Sequence, residues 1–416
     1  MENKNIIIGL TGSWSSGCTT AADILEKKGF IKFSLSSEIK EISKSLINSR
    51  LEDKLGEFIF KKYGNEDKVL DIIKCVIKNS GELRTAKKRE IYQDIGNALR
   101  DKNENDYLVR SIYSENEKVF KEKNIVIDGI KNLGEHEFFS KNFNNYYLVN
   151  INSPYELRYN RVRRSVDENE FDECDYRDSK EDFDFGQQVQ KCVDLADLVL
   201  LNKNGEREFK EKLLKNIEIL IGKETRNPYP DEIFMTSAYV ISLNSRCLKR
   251  KVGAIIVKGE NIIASGYNDV PNTTRPEQPI PRSCKEEYNK CYSSYVKEKF
   301  LKPEYIGKKE DIKQFHEIKD IYNSHLDLCR AIHAEERAII QLARLGGISI
   351  EGSVIYTTTF PCQLCSKKII ETGIVEVVYC EPYPNIEGKK LLYQSVINLR
   401  EFEGIKAKAY FKLLKK

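Results

Sequence analysis

The chain has 416 residues, which is enough for two or more domains that each bury a core. Its composition, 40% hydrophobic and 32% charged, is ordinary for a globular protein, and a net charge of +4 gives no electrostatic argument for binding nucleic acid. No signal peptide or membrane span is recognisable, because the first residues lead directly into a predicted strand. The eleven cysteines have no disulfide-like spacing, so we expect reduced thiols and a cytoplasmic location.

The first motif is a glycine-containing turn between a strand and a helix. Residues 5–10 (NIIIGL) are predicted to form a buried strand, and a helix is predicted to begin near Ala21. The turn fits G-x-x-x-x-G-x-T, the pattern of a P-loop whose backbone N–H groups surround phosphate at a helix N-terminus. The alternative is that the two glycines only make a tight turn. The predicted phosphate-binding residues are Gly12, Ser13, Ser16, Gly17, Cys18 and Thr19.

One position departs from the usual phosphate-binding pattern. Cys18 stands where a lysine would normally contact the β- and γ-phosphates, whereas Thr19 retains the hydroxyl that holds magnesium. A second strand, residues 124–128, ends in Asp128, which is suitable as another magnesium ligand. Without the lysine, phosphoryl transfer loses a large stabilising charge. We therefore expect a nucleoside triphosphate with Mg²⁺ to regulate the protein rather than to be its phosphoryl donor.

Four arginines follow a predicted strand at residues 146–149. They are Arg158, Arg161, Arg163 and Arg164. They either close over bound phosphates as a lid or form a solvated helix face. With a last strand at 196–202, this region resembles P-loop nucleotide kinases of the deoxynucleoside-monophosphate and dephospho-coenzyme-A type. The loop and the stretches 95–100 (IGNALR) and 128–132 (DGIKN) carry that resemblance.

A linker is predicted at residues 223–230, where two prolines with polar neighbours interrupt helical periodicity. We therefore expect a kinase-like domain over residues 1–222 and a second domain over residues 231–416. In the second domain, residues 251–257 and 261–267 are predicted to form a hairpin. Further strands are expected at 353–359 and 375–380, each beside a helix.

The strongest motif lies between these later strands. His333-Ala334-Glu335 and the later Pro361-Cys362-Gln363-Leu364-Cys365 together form H-x-E…P-C-x-x-C, the signature of zinc-dependent nucleobase deaminases. His333, Cys362 and Cys365 supply three zinc ligands and leave the fourth position for water. Pro361 suits the first position of a helix, so both cysteines are expected on one helical turn. Glu335 would accept the proton of the water and pass it to the ring nitrogen.

A closed structural zinc site is the alternative interpretation of this motif. Such a site normally has a fourth Cys or His ligand and has no use for a carboxylate beside the histidine. The glutamate therefore favours a catalytic site. The order of the strands and helices agrees with a deaminase α/β/α sandwich, so the predicted fold class is α/β, with the P-loop domain preceding a cytidine deaminase-like domain.

The second half resembles deoxycytidylate deaminases over residues 231 to about 385. Besides the zinc motif, the segments CLKRKVGA (247–254), GYN (266–268), TGI (372–374) and VVYCEPY (377–383) carry this resemblance. It implies that Asn268 contacts the base or deoxyribose and that Tyr383 lies near the nucleotide, although Asn268 also suits a simple turn. These deaminases commonly have asparagine where this chain has Arg337. Arg337 either reaches the pocket, favouring a more highly phosphorylated nucleotide, or pairs with a carboxylate.

A long insert separates residues 268 and 333. Some deoxycytidylate deaminases carry a second, structural zinc near this region, but the spacing here is looser than usual, and free cysteines are the alternative. The candidate ligands are Cys247, Cys284, Cys291, His316, His325 and Cys329.

The two-domain layout resembles the bacterial anti-phage dCTP deaminases. That resemblance implies zinc-dependent conversion of dCTP, dCMP or both to deoxyuridine nucleotides, which depletes the substrates of phage DNA synthesis. It also implies an inhibitory small RNA and a homo-oligomer. The alternatives are an RNA- or base-editing deaminase, against which the modest charge argues, and a non-catalytic zinc-stabilised nucleotide-binding module, against which Glu335 argues.

Overall fold

The computed structural model describes residues 5–48, 85–179, 184–248, 250–271, 284, 289, 329–381, 386–406 and 409–410. The chain divides into two compact units, one of Met1–Asn227 with Glu403–Lys416 and the other of Pro228–Phe402. In the described part of the chain, no helix combines the length and the apolar character needed to cross a membrane.

The first unit is built on a six-stranded sheet. Its strands are β1 (Ile7–Thr11), β2 (Ile31–Ser34), β3 (Ile125–Asp128), β4 (Tyr146–Asn152), β5 (Leu198–Leu201) and β11 (Gly404–Ile405). They lie in the order β11-β5-β4-β1-β3-β2, and all neighbours are parallel except β11 and β5. Every residue of β1, β3 and β5 is buried, as expected of a parallel sheet covered on both faces.

Helices cover both faces of this sheet. They are α1 (Cys18–Glu26), α2 (Leu35–Asn48), α3 (Thr85–Lys102), α4 (Tyr107–Glu115), α5 (Glu117–Glu122), α6 (Leu133–Asn142), α7 (Tyr155–Val162), α8 (Glu168–Ser179), α9 (Val189–Leu195) and α10 (Glu206–Leu220). Alternate strand residues enter opposite cores: Ile7 and Ile125 pack in one cluster, and Ile8 and Val126 pack in the other. This alternation follows from the period of two in a strand.

The C-terminal segment belongs to the first unit, and the expected domain of residues 231–416 is corrected here. β11 pairs antiparallel with β5, with Gly404 opposite Val199. The Glu403 carboxylate accepts a hydrogen bond from the Leu201 N–H (2.9 Å), and the Lys406 Nζ donates to the Val193 carbonyl (2.7 Å). A strand of two residues has almost no sequence pattern, so only its pairing reveals it.

The second unit contains a five-stranded sheet in the order β10-β9-β8-β6-β7. Its strands are β6 (Gly253–Lys258), β7 (Asn261–Tyr267), β8 (Val354–Thr359), β9 (Glu376–Glu381) and β10 (Asn398–Glu401). Its helices are α11 (Pro230–Ser242), α12 (Ala334–Leu345), α13 (Gln363–Glu371) and α14 (Ile386–Gln394). β6 is antiparallel to β7 and β8, and β9 is parallel to β8 and β10. The predicted hairpin and the two later strands are confirmed, whereas β10 was not predicted.

Two glycines let helices lie unusually close to this sheet. A Cβ atom added to Gly266 in β7 would lie 2.1 Å from the Ala334 carbonyl oxygen at the start of α12. A Cβ atom added to Gly253 in β6 would lie 2.0 Å from the Ala238 carbonyl oxygen in α11. Only glycine permits such approaches, and the first fixes the position of the N-terminus of α12.

Candidate functional site

Three predicted metal ligands meet at the N-termini of two helices. His333 is the N-cap of α12, Cys362 is the N-cap of α13, and Cys365 lies in the first turn of α13. The His333 Nδ1 atom is 3.2 Å from the Cys362 Sγ atom and 3.4 Å from the Cys365 Sγ atom. Pro361 precedes the N-cap rather than occupying the first helical position, so that detail of the prediction is wrong.

The geometry of this group fits zinc. The potential ligand atoms of the three residues lie within 4.8 Å of one another, and both cysteines are buried. Tetrahedral zinc with ordinary Zn–S and Zn–N bonds places sulfur and nitrogen ligands roughly 3.5 Å apart, close to the observed separations. Within the described ranges, no fourth His, Cys, Asp or Glu joins the group. Three protein ligands are the number found in catalytic zinc sites.

Hydrogen bonds within the group set its protonation. The pKa of His333 is raised to about 9, chiefly by the hydrogen bond with Cys362, although burial opposes this. The pKa of Cys362 is lowered to about 4 by hydrogen bonds from Cys365 and His333. The pKa of Cys365 is raised above its ordinary range, because its thiol donates to the Cys362 sulfur. Without metal the group therefore retains protons, which metal binding would release.

Glu335 is the second residue of α12 and is only 4% exposed. Burial raises the pKa of its carboxyl group, and the nearby His333 opposes the rise. Glu335 lies in the first turn of α12, two residues after the ligand His333. A carboxyl group with a raised pKa is better suited to accept and return a proton.

Asn268 is bound to the backbone of its own unit. Its Oδ1 accepts from the Val252 N–H (2.7 Å), and its Nδ2 donates to the Arg250 carbonyl (2.8 Å). Its neighbour Asp269 exchanges two backbone hydrogen bonds with Ile332, which precedes His333. Asn268 therefore fixes the segment before β6 next to the metal-ligand group, and its predicted nucleotide contact stays a prediction.

Arg337 is bound to backbone carbonyl groups among the residues that the structure describes, and its predicted reach toward the nucleotide stays a prediction. Its Nη2 donates to the carbonyl oxygens of Asp269 (2.9 Å) and Val270 (3.0 Å), and its guanidinium lies 4.6 Å from the centre of the Tyr267 ring. One turn along α12 from His333, this side chain reaches the segment that follows β7. It stabilises that segment, and no carboxylate of the described ranges pairs with it.

Other predicted residues lie outside the described part of the chain. Tyr383 is among them, as are Cys291, His316 and His325. Cys247, Cys284 and Cys329 are described. Among the described residues, the only group of side chains close enough to hold a metal ion is that of His333, Cys362 and Cys365. The second zinc therefore stays a prediction.

Sequence reasoning missed Glu381, which lies at the end of β9 and is 1% exposed. Its carboxylate forms an ion pair with Arg250 and accepts hydrogen bonds from the hydroxyls of Tyr239 (2.7 Å) and Thr359 (3.3 Å). It thereby joins α11, β8, β9 and the segment before β6. The sequence signal that could have indicated this residue is a glutamate at the end of an otherwise apolar strand.

The first unit has a cavity of about 570 Å³ at the N-terminus of α1, and all six predicted phosphate-binding residues line it. Gly17 has φ +113°, and a Cβ atom there would lie 2.3 Å from the Asn202 Nδ2 atom, which donates to the Ser16 carbonyl (2.8 Å). The Thr19 hydroxyl donates to the Asp128 carboxylate (2.9 Å). Burial raises the pKa of Cys18 to about 12, so its thiol stays neutral.

The arginine cluster is divided between two environments. Arg158 is buried, donates to the Ser153 carbonyl (3.0 Å) and forms an ion pair with Asp175 (2.5 Å). Arg161, Arg163 and Arg164 are exposed, and of these Arg161 donates to the Ser15 carbonyl (2.6 Å). Of the four, Arg161 lines the cavity in the described part of the chain, and closure of the cluster over phosphate stays a prediction.

The family comparison concerns the second unit, whereas the match to one curated relative covers more residues than that unit contains. The family model described as "Cytidine and deoxycytidylate deaminase zinc-binding region" matches residues 228–381. The deoxycytidylate deaminase of Enterobacteria phage T2 is 33% identical over 161 residues, which are 35% of this chain and 77% of that protein. The deoxycytidylate deaminase of Schizosaccharomyces pombe is 29% identical over 266 residues, covering 62% of this chain and 70% of that protein.

Solved structures give a related match. The structure of the dCMP deaminase from cyanophage S-TIM5 in complex with dCMP and dUMP is 25% identical, with a TM-score of 0.30, and the match covers 43% of this chain and all of that chain. The identity and coverage of the phage T2 relative, together with the family match, establish the assignment. The chain therefore belongs to the deoxycytidylate deaminase family, whose members are zinc-binding hydrolases.

Proposed function

We propose that this protein hydrolyses the exocyclic amino group of a deoxycytidine nucleotide, dCMP or dCTP, and releases a deoxyuridine nucleotide and ammonia. The observation that carries the proposal is the convergence of His333, Cys362 and Cys365 beside the buried Glu335. The relatives named deoxycytidylate deaminase support the substrate class.

His333, Cys362 and Cys365 would hold the zinc ion. Bound there, zinc would act as a Lewis acid and would lower the pKa of a water molecule. Because two of the three ligands are thiolates, they offset much of the metal charge. A protein base is then needed to take the proton from the water.

Glu335 is that base in the proposed mechanism. Its carboxylate would accept the proton of the attacking water and deliver it to the ring nitrogen of cytosine, while oxygen adds to the carbon that bears the amino group. Glu335 would then take the proton of the hydroxyl group now on that carbon and pass it to the amino group, so that the carbonyl of uracil forms as the carbon–nitrogen bond breaks and ammonia leaves. The burial that raises the pKa of Glu335 brings it closer to the operating pH, which favours both directions of transfer.

The phosphate state of the substrate is part of the proposal. The guanidinium of Arg337 is bound to the carbonyl oxygens of Asp269 and Val270, so it provides no reason to favour dCTP over dCMP. The relatives from phage T2 and Schizosaccharomyces pombe are named for deoxycytidylate, which supports the monophosphate. The resemblance to anti-phage dCTP deaminases supports the triphosphate.

The first unit is proposed to bind a nucleoside triphosphate that regulates the deaminase unit. Support comes from the cavity at the loop and from the pair of Thr19 and Asp128, which would hold Mg²⁺. In this layout residues 1–222, joined by the C-terminal segment from 403, form the regulatory domain, residues 223–230 the linker and residues 231–402 the deaminase domain. Transfer of a phosphoryl group from ATP to a nucleotide by the first unit would contradict the regulatory role.

The biological setting is proposed from resemblance alone. A cytoplasmic enzyme that drains deoxycytidine nucleotides would starve phage DNA synthesis, and an inhibitory small RNA would restrain it in uninfected cells. A homo-oligomer is likewise expected from the family. Survival of phage-challenged cells that carry the active or the Glu335→Ala protein tests this setting.

One experiment tests the chemistry. Ammonia release is measured from dCMP, dCTP and a cytosine-containing RNA, with the natural protein and with Glu335→Ala. Release from a nucleotide, lost in the variant, supports the proposal. Release from RNA alone indicates an editing deaminase, and absence of release from all three indicates a non-catalytic module.

A further inference from the structure

Among the residues that the structure describes, three basic side chains line the cavity at the loop of residues 12–19, although the loop itself has no lysine. Arg89 donates two short hydrogen bonds to Asp178 (2.5 and 2.6 Å) and lies over the Trp14 ring. Arg161 is engaged by the carbonyl oxygens of Ser15 (2.6 Å) and Ser16 (3.2 Å). Lys131 is the third, and its contacts differ from those of the two arginines.

The contacts of the Lys131 ammonium group are weak. Its Nζ lies 3.5 Å from the Asp178 carboxylate and 3.5 Å from the Gln187 side-chain oxygen, at the limit for hydrogen bonds. Asp178 is held more closely by Arg89 and by the Gln93 amide (2.7 Å). If the Lys131 side chain turned toward an anion, Arg89 would still neutralise the Asp178 carboxylate. Among contacts with described residues, only the two 3.5 Å contacts of Lys131 would be lost.

The backbone from which Lys131 projects is held firmly. Its N–H donates to the Glu135 carboxylate (2.8 Å), and its carbonyl accepts from the Gln188 N–H (2.7 Å). Lys131 follows Asp128 by three residues, at the end of β3 and on the cavity wall. Cys18 and Lys131 line the same cavity.

A second polar group on the cavity wall points to a ligand. Thr11 is 1% exposed, and its hydroxyl has no hydrogen-bond partner among the residues that the structure describes. Buried hydroxyls are normally paired, so an unpaired one beside a loop of phosphate-binding type indicates that a further group binds there.

We propose that Lys131 binds the phosphate chain of a nucleotide in this cavity and so supplies, from the turn after β3, the cation that the loop lacks at Cys18. This inference rests on the proposed nucleotide site of the first unit. The ligand class is a nucleoside triphosphate with Mg²⁺, because the Thr19–Asp128 pair and Lys131 line the same cavity. The thiol of Cys18 is neutral, so it neither supplies a positive charge itself nor opposes the approach of the Lys131 ammonium group to the phosphates.

The test uses the full-length, zinc-loaded protein and calorimetric titration with ATP, dTTP and inorganic tripolyphosphate, each with Mg²⁺. Lys131→Met is expected to weaken binding about tenfold or more, the usual effect of losing a charged hydrogen bond, and Lys131→Arg to retain most of it. Lys141→Met is the control, since Lys141 is exposed on α6 and pairs only with Glu137 among described residues. Its binding is expected to equal that of the natural protein.

A rescue variant separates a phosphate-binding role from a structural one. Adding Cys18→Lys to Lys131→Met returns a cation to the loop and is expected to restore binding to within about threefold of the natural protein. Loss of binding that neither Cys18→Lys nor Lys131→Arg restores, with a lowered unfolding midpoint, would show that Lys131 is only structural.

Two other outcomes separate this inference from the proposal on which it rests. If the natural protein binds none of the three probes, both the nucleotide site and the role of Lys131 are wrong. If it binds ATP and Lys131→Met binds equally well, the nucleotide site stands and only the role of Lys131 is overturned. Ammonia release from deoxycytidine nucleotides is measured separately, so neither result depends on it.

Discussion

The Nδ1 atom of His333 lies 3.2 Å from the Sγ atom of Cys362, and each residue caps the N-terminus of a different helix. The positive ends of the two helix dipoles are therefore directed at one point, which favours thiolate at Cys362. The close approach of Gly266 to Ala334 determines where one of these termini lies. The metal-ligand group is thus a product of helix packing against the sheet.

Replacement of Glu335 by glutamine is expected to lower deamination by about a hundredfold to ten-thousandfold, the usual contribution of a general acid–base group. The amide cannot take a proton from water, and its similar shape preserves packing in this buried position. Ammonia release with dCMP and with dCTP measures the effect, and zinc content is measured in parallel.

Glu336→Gln is the matched control for that change. Glu336 is the next residue on α12, is partly exposed and forms an ion pair with Lys368 (2.6 Å). Its loss is expected to change turnover less than about threefold, because exposed ion pairs contribute little. Equal turnover of the Glu335→Gln and Glu336→Gln proteins would remove Glu335 from the mechanism.

Cys362→Ala is expected to reduce bound zinc by one equivalent per chain. The remaining histidine and cysteine cannot hold the metal at ordinary affinity, because a ligand and its negative charge are both lost. Elemental analysis of the purified protein measures zinc. Cys174→Ala, which changes a buried cysteine of the first unit, is expected to retain the full content. A Cys362→Ala protein with undiminished zinc would contradict the assignment.

Local patterns in the sequence predicted much of each unit. Buried apolar runs correctly indicated β1, β3, β4 and β5, and the hairpin of β6 and β7 followed from two strands around Gly259. The two halves of the zinc motif meet as predicted because each precedes a helix that packs on the same sheet. These features depend on local periodicity and on motif chemistry, both of which are readable in one sequence.

The remaining features depend on contacts between distant segments. β2 and β10 are short edge strands with mostly half-buried residues, and β11 has two residues, so none has a clear periodic signal. The partners of Asn268 and Arg337 are backbone carbonyl and amide groups, which nearly every residue possesses. Sequence patterns therefore offer no means of choosing these partners over a ligand or a carboxylate.

Gly266→Ala is expected to destabilise the second unit by about 2 kcal/mol, in the range for overpacking, and to reduce zinc binding as well. The added Cβ would lie 2.1 Å from the Ala334 carbonyl oxygen and would push α12 away from β7. Thermal unfolding and zinc content measure these effects. Gly259→Ala is the control: its Cβ meets no described atom within 4 Å, and its positive φ costs only about 1 kcal/mol. Full zinc content in Gly266→Ala would show that the close approach does not position His333.

Arg100→Met is expected to destabilise the first unit by about 3 kcal/mol, because it leaves a buried carboxylate without its cation. Arg100 and Glu135 are 3% and 0% exposed and are 2.6 Å apart. Denaturant unfolding followed by the fluorescence of Trp14, the single tryptophan of the chain, reports on this unit. Arg110→Met, at an exposed ion pair with Glu104, is expected to cost less than about 0.5 kcal/mol. If the two variants lost the same free energy of unfolding, burial of the ion pair would not determine how much its disruption costs.

Asp178 is expected to make the stability of the first unit depend on acid pH. Burial alone would raise the pKa of its carboxyl group, but Arg89 and Lys131 together hold that pKa below its ordinary value. A carboxylate whose pKa is lower in the folded state stabilises the fold above the unfolded pKa, about 3.9, and this contribution is lost as the pH falls through the folded value. Asp178→Asn should therefore cost about 2 kcal/mol at pH 7 and progressively less below pH about 4. Trp14 fluorescence during denaturant unfolding at pH 7, 5, 4 and 3 measures the difference in stability between the two proteins. A difference that stays constant over this range would show that folding does not lower the pKa of Asp178.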